Sequence, residues 1–545
     1  MRISSNMIFD QGVRTINQQT SDLLHTQQQI STGRRILTPS DDPVAAAQAL
    51  QVTQAQDINS QYATNQGNAQ SSLGLEDSQL ASVSNILNQV RTLAVQGANS
   101  TLSNSDRASI ATQMRASFNE LVGISNATDG NGQYLFSGYQ GNTQPFSATV
   151  GGSPASSYAG DNGQRLLQVA ASRQIPISDS GNAVFNDIKS GNGSFATGYA
   201  SGNTGTGVID AGSISDPTKW ASASNSGKYE IRFSGISSAT GSQTTFPVTI
   251  TSGANDTFTV SIDGGTAKTI TIPSGPFDPT NSSELAALQA NVDTTLGTGV
   301  AKLSVDASNH LVLTAETAVS GAGVVVGVGN GGMAAIFGTT TTKAPATYYD
   351  IVDTSSGTNN GKSVFSASPG TTSGVSTYTH AYTPGQPIGF SGMSLYGTSN
   401  SDFGAAVNIT GAPVSGDKFS INSSSNQSLF TTLSNLITSL ESNSTGTSAG
   451  MAKFATDMGS ALTNIDQASQ NILTVRASIG SRLNEITALG SSNSSTKLQL
   501  SQTLSGLQDV DMAKAISSLS QQQTGLQAAQ QSFAKVSQLS LFTYL

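Results

Sequence analysis

The sequence predicts an α + β multidomain protein in which helical segments at both chain ends flank a β-rich central region. Two patterns lead to this prediction. Near both ends, apolar residues recur at spacings of three and four, which is typical of helices. Between about residues 133 and 425 the chain is rich in Gly, Ser and Thr, and its apolar residues alternate in short runs, which is typical of strands. A chain of 545 residues has room for three or four such domains.

The first helix is predicted from a heptad stripe near the N-terminus. Gly33 ends this helix, and Pro43, which suits a first helical turn, begins the next one. The second helix is predicted to extend to about Gly97, either without interruption or with a break near Gly67 or Gly74. The N-terminal stripe consists of Phe9, Val13, Ile16, Thr20, Leu23, Gln27 and Ile30.

Helices are predicted again beyond the central region, after a third N-terminal helix that is capped around Ser105. A short helix covers Leu429 to Leu440, and a long one carries apolar residues from Phe454 to Ile486. The Ser- and Asn-rich stretch 490–495 is predicted to be a turn. The last helix has its own heptad stripe, formed by Met512, Ile516, Leu519, Gln523, Leu526, Gln530 and Phe533.

The central region has several strand signals and a single helical one. Phe258 to Ile262 alternate up to Asp263-Gly264-Gly265, which predicts a hairpin. Only 284–296 reads as a helix there. Further strands are predicted at Tyr229–Phe233, Tyr348–Val352 and Lys418–Ile421.

The two terminal stripes are narrow and partly polar, so a lone helix would bury little apolar area. The first and last helices are therefore expected to pair into an elongated α-helical bundle or coiled coil. Their small uncharged flanks favour packing against further copies, and an ordinary coiled coil within one chain stays open as the alternative. The predicted assembly interface comprises Phe9, Val13, Ile16, Leu23, Ile30, Arg34, Arg35, Leu519, Leu526, Phe533, Leu539 and Phe542.

Arg34 and Arg35 follow the first helix and could pair with a neighbouring copy's carboxylate, although a solvated turn is the favoured explanation for each arginine taken singly. Asp41 and Asp42 could stabilise the N-terminus of the second helix. Both pairs of residues lie within a recognisable sequence block, 29–43, which reads QISTGRRILTPSDDP.

This block and the start MRIS resemble the N-terminal signature of the flagellin superfamily. Within that superfamily, the stretch NGQYLFSGY at 131–139 and the ending VSQLSLFTYL at 536–545 resemble the hook-associated proteins. The resemblance covers about 140 residues at the front and 120 at the back. It implies that the terminal helices form the innermost layer and that β domains face outward.

Four domains follow from this resemblance. They are a terminal coiled coil (1–40 with 496–545), a helical bundle (41–145 with 425–495), a β-rich outer domain (146–233 with 344–424) and an inserted β-rich module (234–343). The strands at 227–233 and 346–353 are expected to belong to one β region that this module interrupts.

The resemblance also implies a structural role at the junction between the flagellar hook and its filament. Export through the flagellar type III system, an extracellular location and a chaperone at the C-terminal helix are implied as well. The expected partners are further copies of the chain, a neighbouring hook-associated protein and flagellin. A flagellin forming the filament itself, or an adhesin using the outer β domains, are the alternatives.

Composition excludes several other classes of function. There is no cysteine, which rules out disulfides and thiolate sites. The net charge of −9 disfavours nucleic acid as a partner. The sequence contains no apolar run of 18 residues, so no membrane-spanning helix is predicted. No catalytic, metal or cofactor residues are predicted. Gly327–Gly332 fits G-x-G-x-x-G, but the residues after it are too few for the helix that a dinucleotide site requires.

Overall fold

The computed structural model describes residues 5–538, except 223–224, 236, 263–264, 307, 316–323, 342–347, 358, 366–379, 394, 396–401 and 443–445. Long helices lie toward both ends, and strands dominate the centre. The predicted α + β class is confirmed at this level. The helices are α1 (Ser5–Thr32), α2 (Pro43–Gly97), α3 (Asn104–Ser125), α4 (Pro217–Trp220), α5 (Ser282–Leu296), α6 (Gly332–Ile336), α7 (Leu429–Glu441), α8 (Ser448–Gln508) and α9 (Met512–Gln538), with a π-helical turn at Asn182–Asn186.

The strands are short and lie between α3 and α7. Most belong to small antiparallel sheets. They are β1 (Phe146–Ala148), β2 (Ser156–Tyr158), β3 (Leu166–Ala170), β4 (Arg173–Pro176), β5 (Ile188–Lys189), β6 (Phe195–Tyr199), β7 (Val208–Ile209), β8 (Ser213–Ile214), β9 (Lys228–Ser234), β10 (Ser238–Gly241), β11 (Val248–Ile250), β12 (Thr257–Ile262), β13 (Lys268–Thr271), β14 (Gly275–Phe277), β15 (Ala301–Val305), β16 (Leu311–Ala315), β17 (Val324–Gly327), β18 (Thr340–Thr341), β19 (Tyr348–Asp353), β20 (His380–Ala381), β21 (Pro387–Gly389), β22 (Ala405–Thr410), β23 (Lys418–Ser423) and β24 (Asn426–Gln427).

Two compact units divide the chain. The first comprises 1–75, 165–177 and 478–545, and the second comprises 76–164 and 178–477. Helices α2 and α8 each contribute to both units. This division is coarser than the four predicted domains, and those four domains stay a prediction.

In the first unit, the β3–β4 hairpin is joined to the long helices by polar contacts. The Gln66 side-chain amide donates to the Val169 carbonyl at 2.8 Å. Arg173 forms an ion pair with Glu485, in which its Nη2 lies 2.8 Å from Oε2. That pairing holds the pKa of Glu485 below its ordinary value.

In the second unit, the β-rich region has two separate apolar cores. A five-stranded sheet in the order β20–β19–β9–β23–β6 contributes to one of them. This core consists of Phe195, Ile209, Tyr229, Ile231, Phe233, Ile351, Val364, Ile388, Phe390, Met393, Phe403, Ala405, Val407, Ile409, Phe419 and Ile421. All buried members of the other core lie between Ala239 and Phe337, inside the predicted insert. The two cores share no residue.

The insert leaves and rejoins the sheet at neighbouring strands. Strands β9 and β19 pair antiparallel, with Ser234 opposite Tyr348 and Ile231 opposite Ile351. The prediction that these two segments belong to one β region is therefore confirmed. The predicted hairpin is also confirmed, because β12 pairs with β13; its turn residues Asp263 and Gly264 lie outside the described residues.

The turn predicted at 490–495 is wrong, because α8 continues through these residues to Gln508. Serine and asparagine disfavour helix interiors when their side chains compete for backbone groups. Here the hydroxyls of Ser491, Ser494 and Ser495 each donate to the carbonyl four residues earlier, which leaves the helical ladder intact. Asn493 instead bonds to another helix.

Two smaller expectations also need correction. The cap of α3 is Ser103 rather than Ser105, and a reciprocal capping box with Asp106 fixes it. The 284–296 helix is confirmed as α5, but α4, α6 and the π-helical turn accompany it. Each of these has only four or five residues, too few to leave an apolar periodicity in the sequence.

Candidate assembly interface

Helices α1 and α9 lie against each other in the first unit. The rings of Phe9 and Phe533 meet with centroids 5.0 Å apart and planes tilted by 46°. Gly12 makes this approach feasible, since a Cβ at that position would lie 2.7 Å from Cδ2 of Phe533. A glycine inside a helix costs conformational entropy, so its presence here is best explained by the ring that covers it.

The structure brings together predicted interface residues from both ends. Val13, Ile16, Leu23 and Ile30 on α1 and Leu519, Leu526 and Phe533 on α9 are all half-buried. Phe9 remains 51% exposed. Leu539 and Phe542 lie outside the described residues.

Other apolar side chains of these two helices face solvent. Isolated exposed apolar residues are common on any protein, but a succession along two adjacent helices indicates a contact surface. In the single chain, each of them is at least 46% exposed: Met7 and Leu24 on α1, and Met512, Ile516 and Val536 on α9.

Two grooves run between α1 and α9. One, of about 250 Å³, is mainly apolar and is lined by Gln11, Gly12, Thr15, Ile16, Ala529, Ser532, Phe533 and Val536. The other, of about 300 Å³, is polar and is lined by Gln19, Asp22, Ser518, Gln521, Gln522 and Gly525.

The polar groove contains two amide oxygens that receive no hydrogen bond within the described part of the chain. Oε1 of Gln19 and Oε1 of Gln522 are buried, and neither accepts a hydrogen bond from the described residues. A buried acceptor without a donor is costly. The groove is therefore suited to donors that come from outside the single chain.

The loop after α1 is held to the end of α8. The backbone amide of Arg35 donates to the Gln508 carbonyl at 2.6 Å, and Nη2 of the Arg35 side chain donates to the Leu507 carbonyl at 2.8 Å. A guanidinium at these last carbonyls also opposes the partial negative charge of the helix end. Nη1 of Arg35 lies 3.2 Å from Asp42 Oδ2. Arg35 is thus engaged within the chain, whereas the Arg34 side chain is exposed.

Asp41 and Asp42 organise the start of α2. Oδ2 of Asp41 accepts from the amides of Leu37 and Thr38, both at 2.8 Å, and Oδ1 of Asp42 accepts from the amide of Ala45 at 3.0 Å. Hydrogen bonds from these amides favour the charged carboxylate. The Thr38 amide lowers the pKa of Asp41 most strongly, and the Ala45 amide does so for Asp42.

The G-x-G-x-x-G stretch forms a loop between β17 and the single-turn helix α6. Strand β17 pairs antiparallel with β12, whereas a dinucleotide fold needs a parallel strand followed by a full helix. Within the described residues, no group of three or more His, Asp or Glu side chains could hold a metal ion. None of the described helices is long and apolar enough to cross a membrane.

The chain ends match two known sequence families. Residues 3–141 match the bacterial flagellin N-terminal helical region, and residues 462–545 match the bacterial flagellin C-terminal helical region. Both ends of the chain are thus similar to the flagellin terminal regions. The predicted resemblance to the hook-associated proteins within the flagellin superfamily is confirmed by the curated relative that follows.

Flagellar hook-associated protein 3 of Escherichia coli (strain K12) is 38% identical over 190 residues, which cover 35% of this chain and 58% of the relative. The chain thus spans a little over half the length of this flagellin-superfamily relative.

Two crystal structures from Legionella pneumophila share the fold. Flagellar hook-associated protein 3 aligns with a TM-score of 0.55 at 22% identity, covering 84% of this chain and 98% of that one. The flagellar junction protein FlgL aligns with a TM-score of 0.52 at 22% identity, covering 85% and 100%. Because the alignments cover 84% and 85% of this chain, the similarity to these structures extends beyond the two terminal regions.

Proposed function

We propose that this chain is a structural subunit of the bacterial flagellum that joins the hook, through a neighbouring hook-associated protein, to the flagellin filament. It acts in the extracellular flagellum, after export by the flagellar type III system. The observation that carries the proposal is the occurrence of matches to both flagellin terminal regions in one chain that is also 38% identical over 190 residues to flagellar hook-associated protein 3.

In this proposal, α1 and α9 form the innermost coiled coil and present the assembly interface. The half-buried stripe from Val13 to Ile30 on α1 and from Leu519 to Phe533 on α9 holds the pair together. The exposed apolar residues on both helices then pack against adjacent copies in a ring or helical array. Burying them supplies the free energy of association.

The unsatisfied amide oxygens favour the same interpretation. Gln19 and Gln522 keep buried acceptors that a neighbouring subunit can satisfy with its own donors. In the free chain the terminal helices are expected to be held weakly, and they gain order as copies assemble. Before export, a dedicated chaperone would cover the C-terminal helix.

The β-rich parts are proposed to face outward. The domains are those predicted from the sequence, with 1–40 and 496–545 innermost, and with the β-rich domain (146–233 with 344–424) and its insert (234–343) on the outside. The core of the insert shares no residue with the core of the five-stranded sheet, which supports treating it as a module of its own. No chemical step is assigned to the chain, and the proposal is that it is not an enzyme.

Deletion of the gene in its source bacterium tests this function directly. The expected phenotype is cells with hooks but without filaments, which release flagellin into the medium. The full-length gene should restore filaments. A version lacking 1–32 and 512–545 should be made and stable yet fail to restore them, and restoration by that version would contradict the proposal.

A flagellin is the alternative within the same superfamily, because both terminal matches are to flagellin regions. The two functions differ in self-assembly. Purified flagellin elongates into long filaments, whereas a junction subunit is expected to stop at a ring or a short array. Electron microscopy of the purified chain after seeding separates them.

A further inference from the structure

Helix α5 of the insert lies against the outer strands of two sheets. Strand β13 is at one end of the sheet β13–β12–β17, and β15 is at one end of the sheet β15–β16–β10–β18, within the part of the chain that the structure describes. The outer edge of such a strand presents backbone amides and carbonyls that can pair with a strand of another chain. Two outer edges in one module therefore favour self-association unless something covers them.

The Gln289 side chain on α5 occupies the outer edge of β15. Its Oε1 accepts from the Leu303 backbone amide at 2.6 Å, and its Nε2 donates to the Ala301 carbonyl at 2.9 Å. An added strand would use these same two backbone groups, because β15 pairs with β16 through its other edge. One side-chain amide thus takes the place of the donor and the acceptor of a neighbouring strand.

The contact requires an amide at position 289. The Leu303 N–H can only donate and the Ala301 carbonyl can only accept, so the oxygen and the nitrogen of the Gln289 amide cannot exchange places. Oδ1 of Asp293, one turn later on α5, accepts a second bond from Nε2 at 2.9 Å and favours the same orientation. A carboxylate at position 289 would lack the donor and would lie beside the Asp293 carboxylate.

The outer edge of β13 is joined to α5 in a similar way. The Asn291 side-chain amide donates to the Thr271 carbonyl of β13 at 2.7 Å. In the opposite direction, Nζ of Lys268 on β13 donates to the Thr295 carbonyl in the last turn of α5 at 3.2 Å. A cation at this end of a helix also opposes the partial negative charge there. Side-chain hydrogen bonds therefore connect α5 to both outer strands.

Two further features of the insert limit pairing at these edges. Leu288 and Val292 on α5 are fully buried in the core of the insert, which keeps the helix over the strands. Each outer strand also carries an exposed lysine, Lys268 on β13 and Lys302 on β15. Covering helices and lysines on outer strands are both means by which natural sheets avoid edge-to-edge association.

We propose that α5 is a guard that keeps copies of this chain from pairing edge to edge through β15, and that the Gln289 amide is the group that blocks this edge. The excluded partner is a second copy of the chain, whose β15 would pair antiparallel with this one about a two-fold axis. The guard matters most where copies are held side by side, because their inserts then meet at a high effective concentration. This inference goes beyond the proposed function, which assigns association to α1 and α9.

The test uses the full-length purified chain with Lys302→Cys, which introduces a single thiol into a sequence without cysteine. Opposed or diagonal residues of paired strands lie about 4.5–8 Å apart, so a short bis-maleimide would link two copies that pair through β15. In this reporter chain, Gln289→Ala should raise the yield of cross-linked dimer about fivefold, as for the release of one hydrogen-bonding site. Gln289→Glu, which keeps the size of the side chain, should also raise it.

Asn291→Ala in the same reporter chain is the matched control, because it removes an amide of the same helix that bonds to β13, on the other sheet. It should leave the cross-linking yield unchanged. Circular dichroism of both Gln289 variants should match that of the reporter chain, and hydrogen exchange of the Leu303 amide should accelerate in Gln289→Ala.

An unchanged yield in both Gln289 variants, or an equal rise with Asn291→Ala, would overturn the proposal. Loss of the folded signal in both Gln289 variants would overturn it as well, because the amide would then serve folding and not the exclusion of a second copy. The yield is measured on the free chain, so it is independent of whether the chain restores filaments in the deletion strain.

Discussion

The side chains of Asn59 and Asn493 each donate to the other residue's backbone carbonyl, both at 3.0 Å. This reciprocal pair joins α2 to α8 in the first unit, and Asn59 is only 7% exposed. Each amide thus satisfies a carbonyl of the opposite helix. The pair also explains why a polar residue is accommodated at 493 without breaking α8.

Replacing Asn59 by alanine should therefore destabilise the chain. The change removes the bond that the Asn59 side-chain amide donates to the Asn493 carbonyl, whereas the backbone carbonyl of residue 59 that accepts from Asn493 remains, so we expect a loss of about 1 kcal/mol. Urea unfolding followed by circular dichroism measures it. Gln61→Ala is the control on the same helix, because the Gln61 amide bonds to Asn65 on an exposed face. It should change stability by less than about 0.5 kcal/mol. Equal effects of the two changes would contradict the role given to Asn59.

Gly12→Ala should weaken the contact between α1 and α9. Alanine is the better helix former, by about 1 kcal/mol, but its methyl group would overlap the Phe533 ring. Gly525→Ala on α9 is the matched control, since among the described residues no atom outside the local helix backbone lies within 4 Å of the added carbon. Hydrogen exchange of α1 and α9 should rise in the first variant and fall in the second. Faster assembly of Gly12→Ala than of the parent chain would argue against the packing described here.

Gln522→Leu should stabilise the single chain and impair its assembly. The leucine removes a buried acceptor that lacks a donor, which is worth about 1 kcal/mol in the monomer. It also removes the group that a neighbouring copy is proposed to satisfy. Thermal unfolding reports the first effect, and filament restoration in the deletion strain reports the second. Gln523→Leu, at an exposed position on the same helix, provides the comparison.

Acid should loosen the loop between α1 and α2. The pKa of Asp41 lies below its ordinary value, so its stabilising effect is complete above about pH 3.8 and is lost as the pH falls through the lowered pKa. Hydrogen exchange of the Leu37 and Thr38 backbone amides, corrected for intrinsic rates, should accelerate as the pH falls below about 3.8. In Asp41→Asn the pH step should disappear. An unchanged profile in that variant would exclude Asp41 as its source.

The insert should be removable without loss of the five-stranded sheet. Because Ser234 lies opposite Tyr348, replacing 235–347 by Asn-Gly would join β9 and β19 through a two-residue turn. The remaining core contains none of the deleted residues. We expect the shortened chain to fold and its remaining strands to keep their circular dichroism signal. It should also restore filaments in the deletion strain. Loss of filaments from a stable, folded deletion variant would show that the insert takes part in the joint.

The sequence was most informative where local chemistry decides the structure. Gly33, with φ of 72°, ends α1, Pro43 begins α2, and the alternating run at Phe258 forms a strand. The serine-rich turn at 490–495 was predicted wrongly, because tertiary contacts at Asn493 override its local preference. The same limit applies to the candidate interface. Heptad spacing indicated Phe9 and Phe533, but nothing in the spacing pairs them or shows that Gln19 and Gln522 keep unsatisfied acceptors.

The register of Ser234 against Tyr348 has a practical consequence for work in living cells. Directly paired residues of antiparallel strands have Cα atoms about 4.5–5.5 Å apart. A foreign domain whose two termini lie close together can therefore replace the insert between them with little strain. A fluorescent protein placed there would mark each subunit without touching either chain end. Stepwise photobleaching of single flagella would then count the copies in one cell-attached organelle.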